Sequence, residues 1–279
     1  MMIQHRTTTI TTIRTTIRRL IHCFHMGTRM GTRMSKTTHT RIASSQMSKP
    51  NSNTVTEQLT AAGRAIEHDS FAVIDREISS HAYTVDQWPI VRRMIHANAD
   101  FDFNGLTDFH RDAVSLGVAA VLSRNTRVVA DVEMICVGLS VPRLSHFSMT
   151  TQQFISDADV IETAKSEGTT RAVQAMRKAH RLGLIDGAIV GIGNAPTALI
   201  ELVRLIHEEG AKPALVVGMP VGFVSAAESK DLMALENTIP WIVIRGRKGG
   251  STLVVAAIHA LLGLAEAQEL VAMETPASL

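Results

Sequence analysis

Short apolar runs that are rich in valine and isoleucine recur through the second half of this 279-residue chain. Their apolar residues are consecutive instead of alternating with polar ones, which is typical of strands covered on both faces of a sheet. We predict five buried strands. They lie at residues 127–131, 146–150, 187–191, 214–218 and 241–245.

Patterns typical of helices separate these runs. They cover residues 170–182, 194–209, 225–236 and 251–267. Alternation of strands and helices predicts an α/β fold with a mostly parallel five-stranded sheet. Asn194 is a predicted N-cap with Pro196 in the first turn, and Ser225 stands three residues before Glu228, the spacing of a capping box. The residues before the sheet, 57–122, are predicted to be mainly helical.

One helix in this earlier part has two distinct faces. Asp86 is its predicted N-cap, and Pro89 lies in its first turn. Its apolar stripe is formed by Ile90, Val91, Met94 and Ile95. On another face Arg92, Arg93 and His96 are neighbours, because residues three and four apart meet on a helix surface.

Three glycine- and proline-bearing segments follow predicted strands. They are residues 191–197, 218–224 and 245–250. In an open α/β sheet, ligands bind at the carboxyl ends of the strands. The free backbone N–H groups at the start of the following helix would also attract a carboxylate or a phosphate. These segments therefore predict a ligand site.

The first fifty residues differ in charge from the rest of the chain. They carry seven Arg, two Lys and no acidic residue, whereas the whole chain has a formal charge of +2, so the remainder is about −7. We predict that residues 1–52 are a disordered basic extension and that residues 53–279 form the α/β domain. Three explanations of this extension are possible. It could be an organelle transit peptide, a segment that binds nucleic acid or an anionic membrane, or an upstream extension before a start at Met34 or Met47. The abrupt change in composition favours the last.

Cysteine usage and hydropathy indicate the compartment. Cys23 and Cys136 are the two cysteines, and one of them lies in the extension, so a reducing, cytoplasmic location is expected. The residues 22–25 (His-Cys-Phe-His) do not have the spacing of a metal site, and no metal is expected. Arg18, Arg19 and His22 interrupt the apolar stretch of the extension, which argues against a membrane span there.

A dinucleotide-binding turn is the first candidate for the segment at 191–197. Gly191 and Gly193 match two positions of its glycine pattern, but Pro196 stands where a small residue is needed. The next predicted strand ends at Gly218 without an acidic residue to bind a ribose. Nicotinamide or flavin binding is therefore disfavoured.

Several segments together resemble a known family. In the second half they are Gly193-Asn-Ala-Pro-Thr-Ala-Leu199, Gly218-Met-Pro-Val-Gly-Phe-Val224, Ala227-Glu-Ser-Lys-Asp231 and Arg245-Gly-Arg-Lys-Gly-Gly-Ser251. Upstream they are Ser70-Phe-Ala-Val-Ile74, Val91-Arg-Arg-Met-Ile-His96, Val129-Ala-Asp-Val-Glu-Met134 and Gly168-Thr-Thr-Arg171. In this order, over residues 57–262, they resemble the precorrin-8X methylmutase family of corrin (vitamin B12) biosynthesis.

The resemblance implies a flavodoxin-like three-layer domain and a homodimer with sites near the subunit interface. It implies an isomerase that moves a methyl group from C-11 to C-12 of precorrin-8X, or of cobalt-precorrin-8, to give hydrogenobyrinate or cobyrinate without a cofactor. By motif, His96 is the catalytic proton donor and acceptor, Ser70 and Arg93 bind substrate, and Arg171 lies near the ligand. Product hand-over to the next pathway enzyme is expected, and no nucleic acid or membrane partner is.

Two departures from the family pattern concern the neighbours of these residues. The family follows its histidine with a turn that contains glycine, whereas this chain continues with residues 97–100, Ala-Asn-Ala-Asp. Ala172 stands where the family prefers a hydroxyl residue after Arg171. Both positions bear on substrate preference.

The chemistry of a methyl shift fits these residue types. Protonation of a ring nitrogen makes the macrocycle electron-poor and eases the migration, and a histidine can give and retake that proton. Arginines bind the carboxylates at the edge of the ring, with Arg245 and Arg247 as further candidates or as solvated surface charge. Two alternatives remain: a corrin-binding carrier without turnover, and a nucleotide-binding flavodoxin-like module.

Overall fold

The computed structural model describes Thr15, residues 61–78 and residues 80–274. Apart from Thr15, the predicted extension at residues 1–52 lies outside the described residues, as do Cys23, Met34 and Met47. The division of the chain into an extension and a domain from residue 53 stays a prediction.

Ten α-helices, one 3-10 turn and six strands make up the described part of the chain. The helices are α1 (Ala61–Glu77), α2 (Trp88–Asn98), α3 (Ala113–Leu122), α4 (Glu133–Gly138), α5 (Val141–His146), α6 (Ala158–Ser166), α7 (Arg171–Arg181), α8 (Pro196–Glu209), α9 (Ala226–Ala234) and α10 (Ser251–Glu274). The strands are β1 (Thr107–Phe109), β2 (Arg127–Ala130), β3 (Thr150–Gln152), β4 (Ile189–Ile192), β5 (Leu215–Gly218) and β6 (Trp241–Ile244), and the 3-10 turn is Phe101–Phe103. The predicted mixed α/β architecture is confirmed.

The six strands form one sheet in the order β1-β6-β5-β4-β2-β3. Strands β2 to β6 are parallel, and β1 pairs with β6 in the antiparallel direction. The five parallel strands, numbered along the chain, run 2-1-3-4-5 across the sheet, which is the flavodoxin-like order. The prediction of five parallel strands holds, and the strand count was wrong by the short edge strand β1.

The predicted strand at residues 146–150 is misplaced. Helix α5 ends at His146, and β3 begins only at Thr150. Between them Phe147 and Met149 are buried, which produced the apolar signal, but Ser148 has a φ of 52°. A residue in the left-handed region cannot continue an extended strand, so the segment turns into the core instead.

Alternate residues of the central strands β2, β4, β5 and β6 face two separate cores. Val128, Ile189 and Ile242 face the layer of helices that includes α2, α3 and α10. Val129, Val190 and Val243 face the layer that includes α7, α8 and α9. The sheet is therefore covered on both faces, which explains its consecutive apolar runs.

Helix α10 is the longest helix in the first layer and lies against α2 and α3. Its segment Ser251–Met273 is long and apolar enough to span a membrane. An 18-residue stretch of this segment has a mean hydropathy of 1.5, and half of that stretch is buried inside the protein. A buried core helix has the same composition. The helix extends beyond the predicted end at residue 267.

Three predicted helix caps differ in the structure. Ala195, not Asn194, precedes α8, and Ser225 makes no side-chain capping bond. The predicted cap Asp86 lies two residues before the start of α2, and Gln87, which directly precedes that helix, makes no side-chain capping bond. Ahead of α2, Thr84 replaces the predicted cap: its hydroxyl accepts from the Gln87 N–H, and the Gln87 side chain accepts from the Thr84 N–H. This reciprocal pair is a capping box.

Candidate active site

The three segments that follow β4, β5 and β6 meet at one edge of the sheet. The Met219 N–H donates to the Ile192 carbonyl at 2.7 Å, and the Gly250 N–H donates to the Met219 carbonyl at 2.9 Å. The Val221 N–H reaches the Gly193 carbonyl at 3.4 Å. The convergence predicted from the glycine and proline pattern is therefore present.

Close backbone approach accounts for two of the glycines in these segments. A Cβ atom on Gly193 would lie 2.6 Å from the Cα of Ser251, and one on Gly249 would lie 2.3 Å from the carbonyl oxygen of Met219. Contacts this short do not occur in proteins. These glycines pack the loops against each other, so the inner part of this corner contains protein backbone.

The start of α8 is occupied by the side chain of Asp131, which directly follows β2. One carboxylate oxygen accepts from the Gly193 N–H at 3.0 Å, and the other accepts from Asn194 and Ala195 at 2.9 and 2.8 Å. Asp131 is fully buried, and burial raises the pKa of its carboxyl group, although the three N–H bonds act in the opposite direction.

This arrangement corrects the expectation that a ligand carboxylate or phosphate binds at the start of α8. Strands β2 and β4 are neighbours at the point where the chain order reverses, the position at which flavodoxin-like folds bind a nucleotide phosphate. The carboxylate of Asp131 already satisfies the N–H groups there. A phosphate at that position would bring two anions together in a buried site, which argues against a nucleotide-binding module.

His96 lies in the last turn of α2, where its side chain is exposed. Its ring packs edge-to-face on Phe71 of α1, with 5.3 Å between the ring centroids. Among the residues that the structure describes, the imidazole has no hydrogen bond or ion pair. The imidazole nitrogens are therefore available to a ligand.

Arg93 shares the Phe71 ring with His96. Its guanidinium lies 5.3 Å from the ring centroid and forms an ion pair with Glu67 of α1, at 2.8 Å between Nη2 and Oε1. Only 18% of the side chain is exposed. Burial lowers the pKa of Arg93 despite Glu67, and the positive charges of Arg143 and Arg92 act in the same direction. Sequence reasoning missed Glu67 and Phe71.

Ser70 precedes Phe71 and is half-buried. Its hydroxyl donates to the Ile66 carbonyl one turn earlier in α1, at 2.8 Å. Ser70 is thus adjacent in the chain to the ring on which Arg93 and His96 pack. The hydroxyl oxygen of Ser70 keeps its lone pairs for a ligand donor.

The turn after α2 is tied to the loop that follows β6. The ammonium of Lys248 lies 2.5 Å from a carboxylate oxygen of Asp100 and 2.6 Å from one of Asp102. The Thr252 hydroxyl donates to the Asn98 side chain at 3.3 Å. His96 is therefore close to the edge at which the three segments meet. No sequence signal paired Lys248 with these carboxylates.

Arg171 occupies the first position of α7, in the opposite helix layer. The hydroxyls of Thr170 and Thr197 are hydrogen-bonded at 3.0 Å, which puts the start of α7 beside that of α8, at the same edge of the sheet. Arg171 is exposed and forms no ion pair with a described residue. The structure does not bring it into contact with His96 or Arg93.

The other candidate arginines lie in the loop after β6. Arg245 donates to the Gly105 carbonyl and has its Nε 3.4 Å from Asp108, whereas Arg247 lies 5.6 Å from the ring centroid of Phe223. Within the described ranges, no three histidine, cysteine or acidic side chains are grouped as metal ligands would be.

Comparisons with known proteins point to one family. The model of the precorrin-8X methylmutase family matches residues 65–264. The cobalt-precorrin-8 methylmutase of Leptospira interrogans is 49% identical over 210 residues, which are 74% of this chain and 95% of that protein. The precorrin-8X methylmutase of Pseudomonas aeruginosa is 36% identical over 71% of this chain and 94% of its own length.

A solved structure agrees as well. The precorrin-8X methyl mutase of Thermus thermophilus is 48% identical and superposes with a TM-score of 0.69, covering 74% of this chain and 98% of that one. The family match spans both helix layers, the whole sheet and the His96 cluster, which consists of Glu67, Ser70, Phe71, Arg93 and His96. The chain therefore belongs to the precorrin-8X methylmutase family.

Proposed function

We propose that this protein is the isomerase that moves a methyl group from C-11 to C-12 of precorrin-8X, or of its cobalt form, to give hydrogenobyrinate or cobyrinate. The observation that carries the proposal is the family match over residues 65–264, which includes Ser70, Arg93, His96 and Arg171. The exposed imidazole at the end of α2 supports the proposal, because a histidine there can give a proton to a ligand.

His96 is proposed to give a proton to a ring nitrogen of the substrate and to retake it after the shift. The carbon–methyl bond at C-11 breaks as the one at C-12 forms, so the reaction has no net oxidation or reduction. Protonation draws electron density from the conjugated ring and eases the migration. General acid–base catalysis of this kind contributes about a hundredfold or more.

Arg93 is proposed to bind a substrate carboxylate. Its guanidinium has five N–H donors in a planar fork, and Glu67 uses one nitrogen at 2.8 Å. The other donors can bind a second carboxylate beside His96. Ser70 would add a hydroxyl contact at the same α1–α2 surface.

Arg171 lies in the opposite helix layer from His96. Within one subunit it therefore does not reach a substrate that is bound at His96. We propose a homodimer in which the start of α7 from one subunit approaches the His96 cluster of the other. Symmetric dimers are the commonest oligomers, and such an arrangement would make two equivalent sites. The dimer is proposed to work in the cytoplasm and to pass its product to the next pathway enzyme.

Repeated turnover separates the isomerase from the corrin-binding carrier. The purified protein is mixed with a large excess of precorrin-8X, and the visible spectrum of the product is followed. An isomerase converts many equivalents of substrate per subunit. A change that stops at one equivalent would support the carrier and contradict the proposal. A parallel assay with cobalt-precorrin-8 identifies the preferred substrate.

A further inference from the structure

An exposed apolar surface lies between β5 and α9 and takes no part in the His96 cluster. We call it the Phe223 surface, and it consists of Val221, Phe223, Val224 and Arg247. The three apolar side chains are 46%, 86% and 73% exposed. Three exposed large apolar residues within four positions are unusual, because such residues normally occur singly at protein surfaces.

Contacts between two loops fix the shape of this surface. The Gly222 N–H donates to the Arg247 carbonyl at 3.2 Å, and the Arg247 guanidinium lies over the Phe223 ring. Gly222 has a φ of 154°, a conformation that favours glycine. Phe223 and Arg247 therefore act as one unit with an apolar part and a cationic part.

A buried lysine is hydrogen-bonded to the loop that contains Arg247. Lys230 is 1% exposed, and its ammonium donates to the Lys248 carbonyl at 2.7 Å. Burial disfavours the charged ammonium and lowers the pKa of Lys230 to about 8. The hydrogen bond from Lys230 fixes the backbone of the residue next to Arg247.

The same loop connects the Phe223 surface to the end of α2. Lys248 is held through its carbonyl by Lys230 and through its ammonium by Asp100 and Asp102. Asp100 follows His96 by four residues. The loop that contains Lys248 thereby connects the Phe223 surface to the helix end that carries the proposed proton donor.

We propose that Phe223 and Arg247 bind the substrate, the phenyl ring covering part of its flat apolar face and the guanidinium binding a carboxylate at its rim. This inference rests on the proposed function. A flat ring edged by carboxylates needs an apolar contact and a cation side by side, and this pair supplies both. Arg245, which is also exposed, adds a second positive charge to the same loop.

The test is a titration of hydrogenobyrinate into the purified protein, followed by visible absorbance. We expect Phe223→Ser and Arg247→Met each to raise the dissociation constant about tenfold, the effect of losing most of an apolar contact or a charge-assisted bond. Phe223→Tyr keeps the flat ring and should bind within about threefold of the native protein. Val85→Ser is the matched control, because Val85 is 84% exposed and lies just before the start of α2, whereas His96 is near its end.

The result distinguishes this inference from the proposed function. Native turnover with unchanged binding by Phe223→Ser and Arg247→Met would overturn the inference and leave the isomerase intact. Native protein that binds the corrin but does not turn over precorrin-8X would contradict the isomerase alone. If Phe223→Ser instead changes the elution volume from dimer to monomer and binding falls only with dissociation, the surface is an interface between copies and the inference is wrong.

Discussion

The carboxylate of Asp131 accepts a hydrogen bond of 2.8 Å from the backbone N–H of Ala195. Asp131 follows β2, and Ala195 precedes α8, so one side chain connects a strand end to the start of the helix that follows the neighbouring strand. Gly193 and Asn194 donate to the same carboxylate. The start of α8, where sequence patterns predict that a ligand anion binds, is closed by the protein itself.

Asp131→Asn should lower the free energy of unfolding by about 2–3 kcal/mol. The amide offers one oxygen to three N–H donors and turns its own NH₂ group toward the others, so buried donors lose their acceptor. Chemical denaturation at neutral pH measures the change.

Asp186→Asn is the control for that substitution. Asp186 is exposed and accepts a single backbone N–H bond, from Lys212 at 2.8 Å. Its loss should lower stability by less than about 1 kcal/mol. Equal losses of stability in the two variants would show that the three hydrogen bonds to Asp131 stabilise the protein no more than the single bond to Asp186.

The part of this corner that depends on local pattern could be predicted from sequence. Consecutive apolar residues indicated β2, β4, β5 and β6, and glycines marked the loops after them. The partner of the α8 N–H groups could not be predicted, because Asp131 lies 62 residues before Gly193. Only the parallel pairing of β2 with β4 brings the two together.

The same limit applies to the fold and to the His96 cluster. The stripe of Ile90, Val91, Met94 and Ile95 correctly indicated the buried face of α2. Strand β1 has three residues, too few for an alternating pattern, and it exists because β6 offers an edge. The pairing of Arg93 with Glu67 depends on how α1 packs on α2, which no local pattern encodes.

Ala99→Gly should raise the free energy of unfolding by about 0.5–1 kcal/mol. Ala99 ends α2 with φ 50° and ψ 37°, a left-handed conformation that costs a residue with a Cβ about 1–2 kcal/mol. Glycine removes that cost but loses more entropy on folding. Thermal or urea unfolding measures the gain.

Ala97→Gly provides the matched control within the same helix end. Ala97 lies inside α2 and is also exposed. Glycine at that position should lower stability by about 0.5–1 kcal/mol. A loss of stability in both variants would mean that the backbone of Ala99 is not strained.

Stability should fall between pH 6.5 and pH 4 because of His259. Burial lowers the pKa of His259 to about 4, and the charges of Arg143 and Arg93 act in the same direction. The unfolded residue has a pKa of about 6.5. The neutral ring, whose Nε2 accepts from the Ser140 N–H at 3.0 Å, is thus stabilising above pH 6.5. That contribution, about 3 kcal/mol, is lost as the pH falls through the window.

His259→Gln tests this pH dependence. The variant should show a shallower decline of the free energy of unfolding from pH 6.5 to pH 4.5 than the native protein. His68→Gln, which changes a histidine that is 85% exposed, should keep the native slope. A native slope in His259→Gln would contradict the assignment to His259.

Arg93→Lys should weaken corrin binding about tenfold to a hundredfold, because lysine keeps the charge but loses the planar fork that fits two carboxylates. Titration of hydrogenobyrinate by visible absorbance measures the change. Arg92→Lys is the control, since that guanidinium already lies 2.5 Å from Asp75 and over the Phe71 ring. Binding by Arg93→Lys as tight as by Arg92→Lys would remove Arg93 from the substrate site.

The most direct test of the mechanism is the rate of methyl migration in His96→Ala, followed by visible absorbance with excess precorrin-8X. The account predicts a rate below about one hundredth of the native rate, with hydrogenobyrinate still bound within about threefold, because the substitution removes the proton donor and leaves the binding groups in place. A rate above about one tenth of the native value would contradict the role of His96 as the proton donor and acceptor.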